Sequence, residues 1–344
     1  RQLEAYARKK GYAMLSVHAG PETKRSVEGS VERFELKPSR LRLALEQDLA
    51  FDLLLARHCG PLKRAMREFR PDVVHVTGPN HAGLLGMLLG HHMRVPVVAS
   101  WHTNVHEYAG RRARRYLPQA AAKGVEQVCL TLAGLYYRCA RLLMAPQADL
   151  AGMLERRTGK RCRLMRRGVD CDLFDPRKRA RKDGTLVVGY VGRLSPEKNV
   201  RQLARVEKAL EQAGVKDFRI EIAGHGAERM WLRQKAARLY DHGLLPGEDL
   251  AAAYAGFDIF AFPSETDTYG NVVQEAMASG VACVVMARGG PAHIVTHGLN
   301  GIVAEDAEEF CEAVVMLAED GVMRAAMARA ARETALLAWW DTVS

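Results

Sequence analysis

Strand-like and helix-like segments alternate along this chain, and the whole alternation occurs twice. The first series of apolar, β-branched runs is "YAMLSVHA" (12–19), "DVVHVTG" (72–78), "PVVAS" (96–100) and "RLLMAP" (141–146). The second is "TLVVGYVGRL" (185–194), "FRIEIAG" (218–224), "FDIFAFPS" (257–264), "VACVVMA" (281–287) and "GIVAE" (301–305). Amphipathic stretches, such as Leu41–Arg70, separate the runs and are expected to be helical. Parallel strands need long crossovers, so this alternation predicts parallel sheets with helices on both faces. A polar, basic segment, "DPRKRARKDG" (175–184), divides the two series and is expected to be a linker. The expected organisation is an α/β chain of two doubly wound domains, 1–174 and 185–344, facing each other across a cleft.

Charge supports the division. Residues 1–180 hold 33 Lys and Arg against 17 Asp and Glu, whereas residues 181–344 hold 17 against 23. A basic first half suits an anionic partner: a nucleic acid, an anionic membrane surface or an acidic substrate. The 344 residues suffice for two domains. No apolar run reaches the roughly 18 residues that a membrane span requires. Seven cysteines at irregular spacing, without a CxxC pair, form neither a disulfide framework nor a zinc site, and a reducing cytoplasm is expected. The opening "RQLEAYARKKG" looks like the end of a helix, so the true N-terminus is expected to lie upstream.

Ligands of doubly wound sheets bind at the carboxyl ends of the strands. Unusual residues gather there: "TGPNHAG", "SWHTN", "GRLSPEKN", "AGHG" and "PSETDTYG". In "VGRLSPEKN" a strand ends at Gly192, and Arg193 and Lys198 follow beside an expected helix start. Two cations there make an anion site, reinforced by backbone amides and the helix dipole; the plainer alternative is two solvated cations. No GxxxxGK[ST] or GxGxxG loop is present, which argues against a Walker site or a dinucleotide fingerprint.

"PSETDTYGNVVQEAMASG" (263–280) runs from loop into helix, with Gly270 and Asn271 expected to begin the helix. Asp267 precedes the start and Glu275 lies two turns in. Carboxylates accept several hydrogen bonds and suit hydroxyl-rich ligands, so one could hold a ribose diol and the other a sugar hydroxyl, with helix amides facing a phosphate between them. Taken singly, each is an ordinary acidic loop residue or helix glutamate. In "SWHTNVHEY" (100–108), His102 follows a strand directly and could bond a sugar hydroxyl or stabilise developing charge. His106 and Glu107 are weaker candidates.

Taken together, "GRLSPEKN", "AGHGAER", "FPSETDTYGNVVQEAMASG", "ARGGPAHIV" and "HGLNGIV" resemble the retaining glycosyltransferases of family 4, over nearly the whole chain. "SWHTNVHEYA" and "RRGVDCDLF" further resemble the branch of GDP-mannose-dependent α-mannosyltransferases and sulfoquinovosyl-diacylglycerol synthases. The resemblance implies the GT-B fold and transfer of a hexose from a GDP- or UDP-sugar to a lipid or glycan acceptor. It implies that Arg193 and Lys198 hold the donor diphosphate and that Glu275 binds the ribose. Asp267 takes the first place of the family's E-x7-E motif, near the donor sugar. The amides of Asn271 and Val272 lie by the phosphates, Gly192, Gly224 and Gly270 let the backbone approach the nucleotide, Leu245 lines the base, and His102 stands by the transferred sugar. No cofactor and no metal are required.

Three features depart from the family pattern. Asp267 stands where the motif usually has Glu, His293 stands where an acid is usual, and the first strand with its glycine-rich loop is expected to be missing. The closing "WWDTVS" is expected to be part of a helix, cut short, that crosses back to the first domain. Two rival functions remain: a sugar-nucleotide epimerase of the same architecture, and a nucleic-acid-binding protein, which the arginine cluster "GRRARRYLP" (110–118) suggests but no helix-turn-helix, zinc-finger or RNP motif supports. The same cluster suggests peripheral contact with an anionic membrane, and the apolar stretch after it is expected to be a buried core helix.

Overall fold

The structure is a computed structural model, and it describes residues 2–39, 41–46, 49–52, 54–102, 104–114, 116–165 and 168–337. The chain divides into two compact units, Arg1–Met165 and Arg166–Ser344.

The second unit is built on one six-stranded, wholly parallel sheet. Across the sheet the strands run Leu239–Gly243, Phe218–Ala223, Leu186–Val191, Ile259–Phe262, Ala282–Met286 and Gly301–Ala304. In chain order that is 3-2-1-4-5-6, the doubly wound arrangement whose order reverses between the first and fourth strands. The sequence explains the burial: "LVVGYV", "IFAF" and "ACVVM" carry no charge and are buried at every position, as strands covered on both faces must be. Rings of Tyr190, Phe262 and Phe260 stack in series at centroid distances of 5.8 and 5.9 Å inside this core.

The boundary falls earlier than the 174/175 division expected from sequence. Val169, Cys171 and Phe174 are buried in the second unit's core. The expected linker is clamped to the same unit. Arg179 pairs with Asp258 at 2.8 Å, Arg181 pairs with the same carboxylate, and Asp258 also accepts the Val187 amide at 2.8 Å. Arg332 reaches Asp175 at 3.2 Å and the Phe174 carbonyl at 2.8 Å. The basic composition that suggested a solvated tether instead serves several acids: Arg179 and Arg181 meet Asp258, Arg177 meets Asp175 at 2.8 Å and Lys178 meets Glu248 at 2.5 Å.

The first unit spreads its strands over several sheets. Its parallel sheet has four: Val74–Val76, Val97–Ser100, Leu142–Ala145 and Cys162–Leu164. A separate sheet places Met14–Ala19 parallel to Val31–Leu36, which pairs antiparallel with Lys24–Glu28. That hairpin was not foreseen because its strands are charged; the charges pair across it, Arg25 with Glu32 and Lys24 with Glu35.

Leu41–Arg70 is not one helix. Arg42–Glu46 and Leu49–Asp52 pair as antiparallel strands, a 3₁₀ turn covers Leu55–His58, and only Cys59–Phe69 is α-helical. The segment "LRLALE" alternates apolar and other residues with period two, which is a strand pattern. The helix Gln119–Arg138 is also less buried than expected. It buries Ala122, Leu130 and Tyr137, but leaves Val128, Leu132 and Leu135 exposed. The closing residues 338–344, with "WWDTVS", lie outside the described residues.

Candidate active site

The site in the second unit begins where strands one and four end, at the reversal of strand order. Gly192 and Gly224 cap adjacent strands with φ of 150° and 153°, a region that side chains rarely adopt. The two strand ends touch: a Cβ on Gly224 would lie 1.9 Å from the Gly192 carbonyl oxygen. The loops beyond stay together, since the Leu194 amide donates to the His225 carbonyl and the Glu228 amide to the Leu194 carbonyl, both at 2.9 Å. Arg193 is half-buried in this loop, and its carbonyl accepts the Tyr190 hydroxyl at 2.9 Å.

Lys198 does not open an α-helix. It closes a 3₁₀ turn, Pro196–Lys198, and the helix Gln202–Gln212 follows. The loop that precedes the helix Asn271–Ala278 comes up to this turn, where the Thr266 hydroxyl donates to the Glu197 carbonyl at 3.2 Å. Lys198 Nζ meets Asp267 Oδ1 at 2.7 Å, with both side chains largely shielded. The other Asp267 oxygen, Oδ2, is buried and has no hydrogen-bond partner. Leaving such an acceptor unpaired costs about 1–3 kcal/mol.

Gly270, at φ 93°, caps the helix Asn271–Ala278, as expected, so Asn271 and Val272 supply its first amides. The loop before it is backed by Gly289 and Gly290, which also approach closely: a Cβ on Gly290 would lie 2.4 Å from the Tyr269 backbone and one on Gly289 3.0 Å from that of Glu265. Glu275, in the second turn, is half-buried. Burial pushes its carboxyl up to about 7, although the Tyr254 hydroxyl, donating to Oε2 at 2.9 Å, pulls it the other way. Leu245 follows the strand Leu239–Gly243 and packs partly buried against the core. His293 is exposed in the turn Gly290–His293.

In the first unit His102 follows the strand Val97–Ser100, half-buried. Its Nε2 lies 2.7 Å from the Ser100 hydroxyl. His106 packs edge-on to Trp101 at 5.8 Å with a buried Nδ1 that has no hydrogen-bond partner, and burial lowers its pKa. The side chain of Glu107 lies outside the described residues. Of the arginine cluster, Arg114 pairs with Glu126 at 3.2 Å, while the Arg111 side chain and Arg115 lie outside the described residues. Among the described residues no group of three or more His, Cys, Asp or Glu is placed to hold a metal ion, and no helix is long and apolar enough to cross a membrane.

Comparison with known proteins decides the family. Residues 3–173 match the family model described as Glycosyltransferase Family 4, and residues 185–320 match that of Glycosyl transferases group 1. The chain belongs to glycosyltransferase family 4. It is 32% identical to a GDP-mannose-dependent alpha-mannosyltransferase of Mycobacterium tuberculosis, over 81% of this chain and 72% of that protein. It is 32% identical to the enzyme of the same name from Corynebacterium glutamicum over 74% of this chain, and there it spans 60% of the relative's length. Sulfoquinovosyl transferase SQD2 of Arabidopsis thaliana is 28% identical over 77% of this chain and 53% of that protein. In fold, the chain is like sucrose-phosphate synthase from Thermosynechococcus elongatus, with a TM-score of 0.75 over 99% of this chain and 90% of that one, at 16% identity. The family 4 chain therefore has the GT-B fold, with a Rossmann-like sheet in each unit.

Tyr254, Tyr190, His75 and Ser100 were missed from sequence. A tyrosine in a helix and a serine closing a strand carry no signal of their own. His75 did: it is the single polar residue inside the apolar run "VVHV".

Proposed function

We propose that this protein is a retaining hexosyltransferase that takes GDP-mannose, or another GDP- or UDP-hexose, as donor and a lipid or glycan as acceptor. The observation that carries the proposal is the Lys198–Asp267 pair in the loop that leads into the helix holding Glu275. One cation, one acid with an empty buried oxygen and a second acid two turns along suit the three parts of a nucleotide sugar: diphosphate, hexose and ribose.

In this reading Arg193 and Lys198 grip the diphosphate, aided by the Asn271 and Val272 amides at a helix N-terminus. Charge builds on the departing diphosphate in the transition state, so the same groups lower the barrier. Lys198 then turns from Asp267 to phosphate, and a sugar hydroxyl fills the place at Asp267 Oδ2. Glu275 accepts the ribose hydroxyls through the oxygen that Tyr254 leaves open. Gly192, Gly224 and Gly270 keep side chains away from the nucleotide, Leu245 lies along its base, and His102 serves the transferred sugar. Two cations and helix amides supply the charge that a divalent ion would supply elsewhere, so turnover is expected to survive a chelator.

The acceptor is proposed to be met at the inner face of a membrane, with the protein bound peripherally from the cytoplasm. Val128, Leu132 and Leu135 support this reading. They lie on one face of the helix Gln119–Arg138 and are 59%, 59% and 56% exposed.

Titration calorimetry of the full protein against GDP-mannose, UDP-glucose and the free nucleotides tests the donor. Binding of one diphosphate sugar, weakened when Lys198 becomes Ala, is the expected result. No heat with any nucleotide sugar would overturn the proposal.

A further inference from the structure

The Ser100 hydroxyl lies between two imidazoles. Its Oγ is 2.7 Å from His102 Nε2 and 2.7 Å from His75 Nε2, and Ser100 is 1% exposed. Sheet register puts the three together. His75 sits opposite Val98 on the neighbouring parallel strand, so the side chains of His75, Val98 and Ser100 share one face of the sheet. The backbone around them is fixed as well. The Tyr137 hydroxyl donates to the Ser100 carbonyl at 3.3 Å, Trp101 and Tyr137 pack with ring centroids 5.0 Å apart, and the Trp101 Nε1–H donates to Asn104 Oδ1 at 2.8 Å.

We infer that His75 and Ser100 are positioning residues for His102, fixing which of its ring nitrogens carries a proton. The argument is a count of protons. A hydroxyl has one proton to give and two lone pairs, and Ser100 Oγ meets no other partner among the described residues, so the arrangement that leaves no buried donor unpaired has it donate to one imidazole and accept from the other. The ring that receives the serine proton has a bare Nε2; the ring that donates to the serine carries its proton there. Two bare Nε2 atoms are excluded by the single proton, and two protonated ones would leave the buried serine proton without an acceptor. Burial holds His75 toward its neutral form, which keeps this end of the series from acquiring a charge of its own. In a site that must present either a donor or an acceptor to a sugar, a wrong tautomer is a lost hydrogen bond.

The inference rests on the proposed role of His102 only for its consequence in turnover; the proton count stands without it. The experiment has two arms on the full protein. In the first, histidine is labelled with ¹⁵N and two-bond ¹⁵N–¹H spectra report which nitrogen of each ring is protonated, with His75→Phe and His102→Ala giving the assignments. One of the two rings is expected to have a bare Nε2 in the wild type. In Ser100→Ala at least one ring should change its pattern. Both rings protonated on Nε2 in the wild type would overturn the inference.

In the second arm, kinetics are measured with the diphosphate sugar that the calorimetry identifies. Ser100→Ala and His75→Phe are expected to lower kcat about tenfold or more while leaving the donor KM within about twofold, because misplacing a group costs rate more than binding. Thermal melts of the same variants check that the fold survives. Wild-type kcat in a folded Ser100→Ala, alongside a crippled His102→Ala, would overturn the positioning role and leave the site standing. Full activity in His102→Ala would instead remove His102 from the proposed function, and the spectra alone would then decide the inference.

Discussion

The two units reach a candidate site by different means. In the second, backbone does the placing: strand ends touch at Gly192 and Gly224, loops interlock, and the Asn271–Ala278 helix starts from a glycine. In the first, side chains do it, in series from His75 through Ser100 to His102. The difference decides what a sequence can reveal. A backbone that must pass within contact distance of another leaves a glycine, and glycines at strand ends are visible. A series of side chains joins residues that are 25 positions apart and looks like an ordinary histidine and an ordinary serine.

The sharpest way to break this comparison is to add one methyl group. Gly224→Ala puts a Cβ on the Gly192 carbonyl at a φ that alanine resists. A loss of about 4 kcal/mol in denaturant unfolding is expected, together with loss of nucleotide binding. The same change at Gly124, inside the first unit's helix Gln119–Arg138 with open space around it, should stabilise by about 0.5–1 kcal/mol. Similar costs at both positions would mean that the strand ends are not held by contact.

Glu275 gives the next effect, and its sign is set by its raised pKa. Between its ordinary value of 4.5 and about 7, the folded protein holds a proton that the unfolded chain has released. Stability therefore falls as pH rises through that window, by at most about 3 kcal/mol, and the loss persists above it. Glu275→Gln cannot ionise, so it should melt higher than wild type at pH 8 and equal to it at pH 4. Donor binding should move the other way. Wild-type affinity is expected to rise as Glu275 ionises through about pH 7, and the Gln variant should bind weakly at every pH. A stabler protein that has lost its ligand is the signature of a carboxylate kept for function. Equal melting curves at pH 8 would show that Glu275 is solvated.

Lys198 separates the roles of the paired residues. Lys198→Ala should cost about 1.5–3 kcal/mol in nucleoside diphosphate affinity, the worth of a charge-assisted contact. Asp267→Asn should leave that affinity in place and lower turnover, because in the proposed function its second oxygen meets the hexose rather than the phosphates. If both variants bind the free nucleotide as wild type does, the pair is a surface ion pair and not a donor site.

Legibility followed the same division. All five of the second unit's expected strands formed, because parallel strands covered on both faces must be continuously apolar, as "LVVGYV" and "ACVVM" are. The missed strand, Leu239–Gly243, is an edge strand and carries Asp241 and His242. The helix at Asn271 was placed from its glycine. The Lys198–Asp267 contact was not foreseen, since it joins two loops that the sheet order alone brings face to face. In the first unit, the charged hairpin Lys24–Leu36 and the strands in 42–52 were lost to the eye for opposite reasons: in one, charges separate the few apolar residues Val27, Val31, Phe34 and Leu36, and the other has enough apolar residues to pass for a helix.

The smallest expected effect concerns exposed apolar side chains on each unit. The first unit exposes Val128, Leu132 and Leu135 at positions i, i+4 and i+7 of one helix; the second exposes Val322, 82% accessible, near the start of the helix Gly321–Leu337. Three aligned apolar side chains can enter a lipid surface together. The arginine cluster is a weaker basis for attachment than its composition suggests, because Arg114 is already paired with Glu126. Leu132→Ser should therefore reduce binding to anionic vesicles by about 1.5 kcal/mol, the lower end of what burying one leucine contributes. Its melting temperature should not change, since the side chain is solvated in the protein. Val322→Ser should leave vesicle binding untouched. Added salt should weaken wild-type binding only in part, because screening acts on charge and not on apolar insertion. Binding that high salt abolishes, and that Leu132→Ser leaves intact, would assign the attachment to charge alone. A wild type that ignores anionic vesicles even at low salt would remove the membrane from the proposal and make a soluble glycan the acceptor.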